Sequence, residues 1–207
     1  LSTEKGKGFR KLVSNNDDLE RYWAGKNGVS NAFMTVYGYR ATQPPYNKRV
    51  DLFTPVVRHF VMDFDPKNFK QRNRPDVDPQ LPLEQTMGLH YYLVEQSIAH
   101  SMWYSGGGFH VWVMLDKPYM PSSGNHLSAI KDAGMQVVNE WVRDLDLFCS
   151  DPAVPFDTSG MIRIPNSYNA KRGLWSVPIS STDLERGLEH IMERALEPKY
   201  GMIPYGT

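Results

Sequence analysis

Cys149 is the one cysteine in this chain of 207 residues. A single thiol excludes an internal disulfide and any multi-cysteine zinc site, and it fits a reducing compartment. A surplus of charge is missing too, because Lys plus Arg and Asp plus Glu number 23 each. A chain that held DNA strongly by itself would carry a basic excess. Any polynucleotide must therefore meet a local basic patch, bind weakly or be held by a partner. No apolar run approaches the roughly 20 residues that cross a bilayer. The first residues, Leu1 to Lys7, lack the apolar core of a secretory signal, and the start without Met leads us to expect an excised fragment. Internal repeats and low-complexity tracts are absent as well.

What remains is an ordinary globular composition, 41% hydrophobic and 12% aromatic, long enough for one domain with a real core. We expect a single catalytic domain over 1–207, with a polar, basic arm at 1–14 and a flexible, proline-rich loop at 66–83. Asn16-Asp17-Asp18 caps a short helix through Trp23. The alternating aromatics from Ala32 to Arg40 predict a strand, and Val56 to Asp65, apolar on both faces, predicts a central one. Glu84 to Ala99 has helical spacing, with Met87, Tyr91, Val94 and Ile98 on one face. Phe109 to Leu115 predicts a strand after a glycine turn. Ser122 or Ser123 opens a long amphipathic helix whose apolar face runs from Leu127 through Ile130, Gly134, Val137, Trp141 and Leu145 to Phe148. Ile162 to Ile164 and Leu174 to Ile179 predict short strands, and Thr182 with Glu185 reads as a capping box for a last helix. Strands interspersed with helices give an α+β class.

Three segments carry chemistry. In a strand, residues i and i+2 share a face, so Asp63 and Asp65 project together at its end. Two such carboxylates repel when both are ionised, and a hard divalent ion relieves that repulsion; the alternative is a strand-end pair bonding its own turn. Ser105-Gly106-Gly107-Gly108 feeds directly into a strand bearing His110. Glycines let N–H groups approach an anion, and a neutral histidine donates to phosphate without permanent charge; the alternative is a plain turn and a core histidine. No Gly-Lys-Ser/Thr follows, so this is not a Walker loop. Between Asp157 and Asp183 no acidic residue occurs, while Arg163, Lys171 and Arg172 do. A lone carboxylate followed by cations suits a metal ligand beside a triphosphate clamp, or else a solvated basic face.

The order of these segments resembles the archaeo-eukaryotic primase superfamily: Asp-x-Asp, glycines and His110 before a strand, then Asp157 followed by Arg163-Ile164-Pro165-Asn166-Ser167 and Lys171-Arg172-Gly173. The stretch from Asp157 to Ile179 resembles the catalytic small subunit of archaeal and eukaryotic DNA primases. The resemblance covers about residues 30 to 180. It implies an RRM-like mixed sheet plus a second α/β unit, with the active site in the cleft between them. It implies that Asp63, Asp65 and Asp157 bind two catalytic Mg²⁺ or Mn²⁺ ions, and that Ser105, Gly106, Gly108, His110, Arg163, Asn169 and Lys171 contact the nucleotide. Asn169 stands where relatives often have His, and Gly107 where paired arginines are common. One cysteine cannot build the zinc cluster of replicative small subunits, which points to a compact primase-polymerase of plasmid, viral or mobile-element type acting in a prokaryotic cytoplasm. The implied partners are a single-stranded DNA template, NTP or dNTP, and a large primase subunit, a helicase or a further domain of the same polypeptide, with no membrane. The alternatives are an end-joining repair polymerase of the same superfamily and a non-catalytic nucleic-acid-binding module that keeps the fold.

Overall fold

The computed structural model describes residues 12–25, 27–42, 50–70, 78 and 80–198. The Asn15 side chain accepts from the Asp18 N–H at 2.9 Å and so starts α1, Asn16–Ala24. Two short strands follow, β1 (Phe33–Thr35) and β2 (Gly38–Tyr39), where the alternation predicted one. The chain turns at Val36 and Tyr37, both buried, so each half pairs with a different neighbour. The strand β3, Pro55–Phe64, is the central one expected from its two-sided apolar run.

The expected loop at 66–83 contains structure. α2 spans Pro66–Lys70 and α3 begins at Gln80, running to Glu95. Residues 71–77 and 79 lie outside the described residues, as do 1–11 of the basic arm. On α3 the predicted face is also out of phase. Tyr91 and Val94 are exposed, while Leu83, Thr86, Leu89, His90 and Leu93 are buried. The polar Thr86 and His90 hid this stripe, since each finds a partner inside: Thr86 bonds the Pro82 carbonyl and His90 bonds His100.

β4 (His100–Tyr104) and β5 (Phe109–Tyr119) form a hairpin across the glycine turn, and α4 (Gly124–Asp144) starts at an Ser123 cap. Gly134 lets α4 close on Phe156, since a Cβ there would stand 2.3 Å from that ring. Val138 rather than Val137 points inward. After β6 (Met161–Arg163), the ribbon β7 (Tyr168–Asn169) and β8 (Leu174–Trp175) leads to β9 (Val177–Ile179). The last helix is two: α5 (Ser181–Arg186) and α6 (Leu188–Arg194), broken at Gly187 with φ +89°. Its capping box is Ser180 with Asp183, two residues before the Thr182–Glu185 pair expected. Ser180 wins because its own backbone is extended as it leaves β9, the conformation a cap requires.

The main sheet has five strands in the order β2-β3-β5-β4-β9, and every described pairing is antiparallel, so it is not mixed. The ribbons β1–β6 and β7–β8 are two further, separate two-stranded sheets. Phe60 of β3 stacks on Phe156 at 4.9 Å and meets Trp141 of α4 at 5.8 Å, and Trp141 meets Tyr92 of α3. One sheet face thus carries the helices. Burying each such aromatic contributes about 1.5–3 kcal/mol. Successive strand residues alternate faces, so His59, Val61 and Asp63 share the other face, opposite Met114, Trp112 and His110 of β5. Among the described residues no helix is long and apolar enough to cross a membrane.

Candidate active site

β3 ends where it has to. Its last pair is Phe64 with Phe109, and the glycine turn sits directly on it: a Cβ at Gly108 would lie 2.2 Å from the Phe64 carbonyl oxygen. Gly106, at φ +82°, occupies the first central position of the two-residue turn, which demands such a residue. Ser105 closes the turn, its N–H and hydroxyl both donating to the Gly108 carbonyl at 2.8 and 3.1 Å. On the other side, the segment after α4 is clamped to the same strand end. Asp151 N–H donates to the Asp63 carbonyl at 2.8 Å, and the buried Asn68 amide donates to the carbonyls of both Asp63 and Cys149. Gln85 accepts from the Cys149 N–H. These polar clamps hold the strand tip rigid without filling its mouth.

At that tip Asp63 and Asp65 are partly open, with side chains 19% and 24% exposed. Asp65 accepts from the Lys67 N–H at 2.9 Å and from its ammonium at 2.5 Å. His110, directly across from Asp63, brings Nε2 to 3.6 Å from the Asp63 carboxylate. That is beyond a hydrogen bond. Burial, then the cations Arg163 and Lys67, push His110 down to about 3 against the pull of Asp65, so it is neutral at pH 7.

Arg163 is the unusual group. It is 9% exposed, its guanidinium lies 5.0 Å over the Phe33 ring, and Nη1 donates to Asn31 Oδ1 at 3.1 Å and to the Tyr168 carbonyl at 3.0 Å. No carboxylate pairs with it among the described residues. Desolvation pulls even this guanidinium down to about 10. A buried cation held by neutral acceptors and facing a neutral histidine lacks an anion.

The sequence-predicted residues divide. Asp63, Asp65, His110 and Arg163 come together, and Ser105, Gly106 and Gly108 form the wall beside them. Asp157 accepts from the N–H and hydroxyl of Ser159 at 2.8 and 2.9 Å. Among the described residues no three His, Cys, Asp or Glu side chains converge on a metal position, so the expected acidic trio is not preassembled. Asp65 is engaged instead by Lys67, and Asp157 by Ser159. The pair alone suits a hard ion, since Mg²⁺ typically takes one or two carboxylates and completes its shell with water and substrate phosphates. Asn169 is a strut: its amide donates to the Ser105 carbonyl at 3.0 Å, and its Oδ1 is buried without a partner. Lys171 is exposed, and Arg172 is the cation beside the turn, its Nε 3.5 Å from where a Gly107 Cβ would stand. Sequence reasoning missed Lys67, two residues past the pair, and Asn31, which also accepts from the Ala170 N–H. Only the i+2 spacing of Lys67 was there to signal it.

No protein-family model matches the chain. The DNA primase small subunit PriS of Pyrobaculum arsenaticum is 42% identical over 55 residues, 27% of this chain and 18% of that protein. The corresponding protein of Pyrobaculum islandicum is 45% identical over 53 residues, 26% and 17% respectively. The matched stretch is thus under a fifth of these relatives' length. Among solved structures, the polymerase domain of Mycobacterium tuberculosis ligase D in complex with DNA superposes with a TM-score of 0.50 at 16% identity, covering 79% of this chain and 58% of that one. The likeness fixes the fold.

Proposed function

We propose that this primase-like chain, with the fold of the archaeo-eukaryotic primase superfamily, is a template-dependent nucleotidyltransferase that joins NTP or dNTP into primers. The observation that carries the reading is Arg163, a buried guanidinium that no carboxylate pairs with among the described residues, beside neutral His110 and the Asp63–Asp65 pair. Cation, neutral donor and acidic pair in one place is the arrangement that a metal-bound triphosphate completes.

In this mechanism Arg163 and His110 hold the triphosphate oxygens, the one as a fixed charge and the other as an imidazole N–H donor. Arg172 adds charge from across the glycine turn. The turn itself excludes side chains, so the phosphates approach its backbone. Lys67, paired with Asp65 here, would be available to the phosphates were that carboxylate to hold a metal ion. Asp63 and Asp65, with Asp157 as the third candidate ligand, would hold Mg²⁺ or Mn²⁺, which would lower the pKa of the attacking hydroxyl and offset the charge of the leaving pyrophosphate. Catalysis is then mostly positioning and electrostatics. The template is single-stranded DNA, and a partner subunit or attached domain supplies most of its grip.

The test offers single-stranded template, labelled ATP or dATP, and Mg²⁺ or Mn²⁺, and sizes the products. The wild-type chain extends them. Asp63→Ala loses synthesis by at least about a thousandfold with its folding unchanged. Wild-type synthesis that survives in Asp63→Ala would remove the metal assignment.

A further inference from the structure

At the opposite end of β4 from the glycine turn, three side chains form a second chain of contacts. His90 lies on α3, His100 opens β4 and Ser181 opens α5. The Ser181 hydroxyl is 2.8 Å from His90 Nε2, His90 Nδ1 is 2.8 Å from His100 Nε2, and His100 Nδ1 is 2.8 Å from the Ile98 carbonyl oxygen. That carbonyl sets the direction of all three bonds. It only accepts, so His100 carries its proton on Nδ1 and presents a bare Nε2. His90 must then donate from Nδ1, which leaves its own Nε2 as an acceptor while the ring is neutral. The third bond needs a proton, and the Ser181 hydroxyl supplies it.

Nucleophile, base and orienting group thus stand in hydrogen-bond reach with every proton on the side that activation requires. The base is buried, His90 being 7% exposed, while Ser181 is exposed. Burial, then the neighbouring His100, hold His90 below its ordinary range, so the lone pair is present at pH 7. The bond is not needed to start the helix, because Ser180 and Asp183 already cap α5. Tyr91 packs 5.3 Å from the His90 ring, and its hydroxyl donates to Glu185 at 3.2 Å. Glu185 lies one turn beyond Ser181 on α5, so α5 is tied to α3 through this bond as well as through Ser181.

We propose that Ser181, His90 and His100 form a second reactive site, in which Ser181 is a base-activated nucleophile toward small carboxylic esters and phosphonyl electrophiles. Ser181 Oγ bonds to the ester carbonyl carbon as its proton passes to His90 Nε2. The carbon–alkoxide bond then breaks, and the alcohol leaves with that proton, giving acyl-Ser181 and neutral His90. With a fluorophosphonate, Ser181 Oγ bonds to phosphorus as its proton passes to His90, the phosphorus–fluorine bond breaks, fluoride departs, and His90 gives the proton to solvent. The site stands independently of primer synthesis.

The experiment treats the whole chain with a fluorophosphonate probe at pH 7.5 and locates the adduct by peptide mass. We expect one adduct on Ser181, none there in Ser181→Ala, and labelling slowed about a hundredfold in His90→Gln. The wild-type rate should also fall as the pH drops below the ordinary histidine range and His90 gains its proton, a readout that needs no variant to fold. Ser181→Ala keeps nucleotide incorporation unchanged. No adduct on Ser181, or a rate that ignores both His90→Gln and pH, overturns the proposal.

Discussion

At the scale of single residues, the site rests on which cation faces the glycine turn. Lys171 and Arg172 are adjacent in sequence and both exposed, yet only Arg172 lies against Gly107 and, while burial raises the Tyr104 hydroxyl, pulls it partly back down. Arg172→Ala should raise the KM for nucleotide about fivefold, an effect near 1 kcal/mol as expected for an exposed charge contact, while Lys171→Ala leaves it unchanged. Steady-state incorporation with each variant checks this, and equal effects would contradict the assignment. The basic run was visible in the sequence, but which member reached the turn was not. That choice is made by the hairpin β7–β8, whose turn brings the N–H groups of Arg172 and Gly173 onto the Asn169 carbonyl. The carboxylates show the same limit. Asp63 and Asp65 were legible from strand periodicity alone, whereas the side-chain direction of Asp157 depends on Ser159, two residues on.

At the scale of elements, long runs of one period were readable and interrupted ones were not. β3 and α4 fall where the apolar pattern put them, because their burial is decided by many residues acting together. α3 lost its phase because buried Thr86, Gln85 and His90 look polar in sequence, and their partners lie up to 91 residues away. The helix α5 is held by Asp183, which accepts from the Ser180 N–H and hydroxyl at 2.8 and 2.7 Å and also meets His190 and Arg194. Burial alone would raise its carboxyl, but the Ser180 donors, Arg194 and His190 outweigh that and hold it below the usual carboxylate range. A carboxyl with a lowered folded pKa contributes stability that is fully present above its unfolded pKa, near 4, and is lost as the pH falls through the folded value. Asp183→Asn should therefore cost about 1–2 kcal/mol at pH 7. The gap between variant and wild type should narrow below about pH 4. Denaturant melts at pH 7 and pH 3 check it, and a gap independent of pH would refute the ionic part.

At the scale of the whole molecule, zero net charge and a few local cations predict weak, shallowly salt-dependent binding to template. If two or three exposed cations outside the triphosphate site, Lys171 among them, meet template phosphates, log K should fall against log salt with a slope of about −1.5 to −2 for a single strand. Fluorescence anisotropy with a labelled oligonucleotide measures it, and a slope steeper than about −5 would mean a larger basic surface than the described residues offer. Fold class and the individual positions of the acidic pair, histidine and arginine were legible because each sits on a strand or a turn with its own local signature. The convergence itself was not, since polar clamps such as Asn68 to Cys149 and Asn169 to Ser105 join segments that carry no shared pattern.

The account turns on a buried arginine and an acidic strand tip receiving one triphosphate between them. Calorimetric titration of a non-hydrolysable dNTP, with and without Mn²⁺, tests this most directly. Wild type should bind about tenfold or more tightly with Mn²⁺. Arg163→Met should weaken binding about tenfold or more under both conditions, as loss of a charged hydrogen bond does. Asp63→Asn with Asp65→Asn should remove the Mn²⁺ effect alone. Binding that ignores Arg163, or a Mn²⁺ effect that outlives both carboxylates, would contradict it.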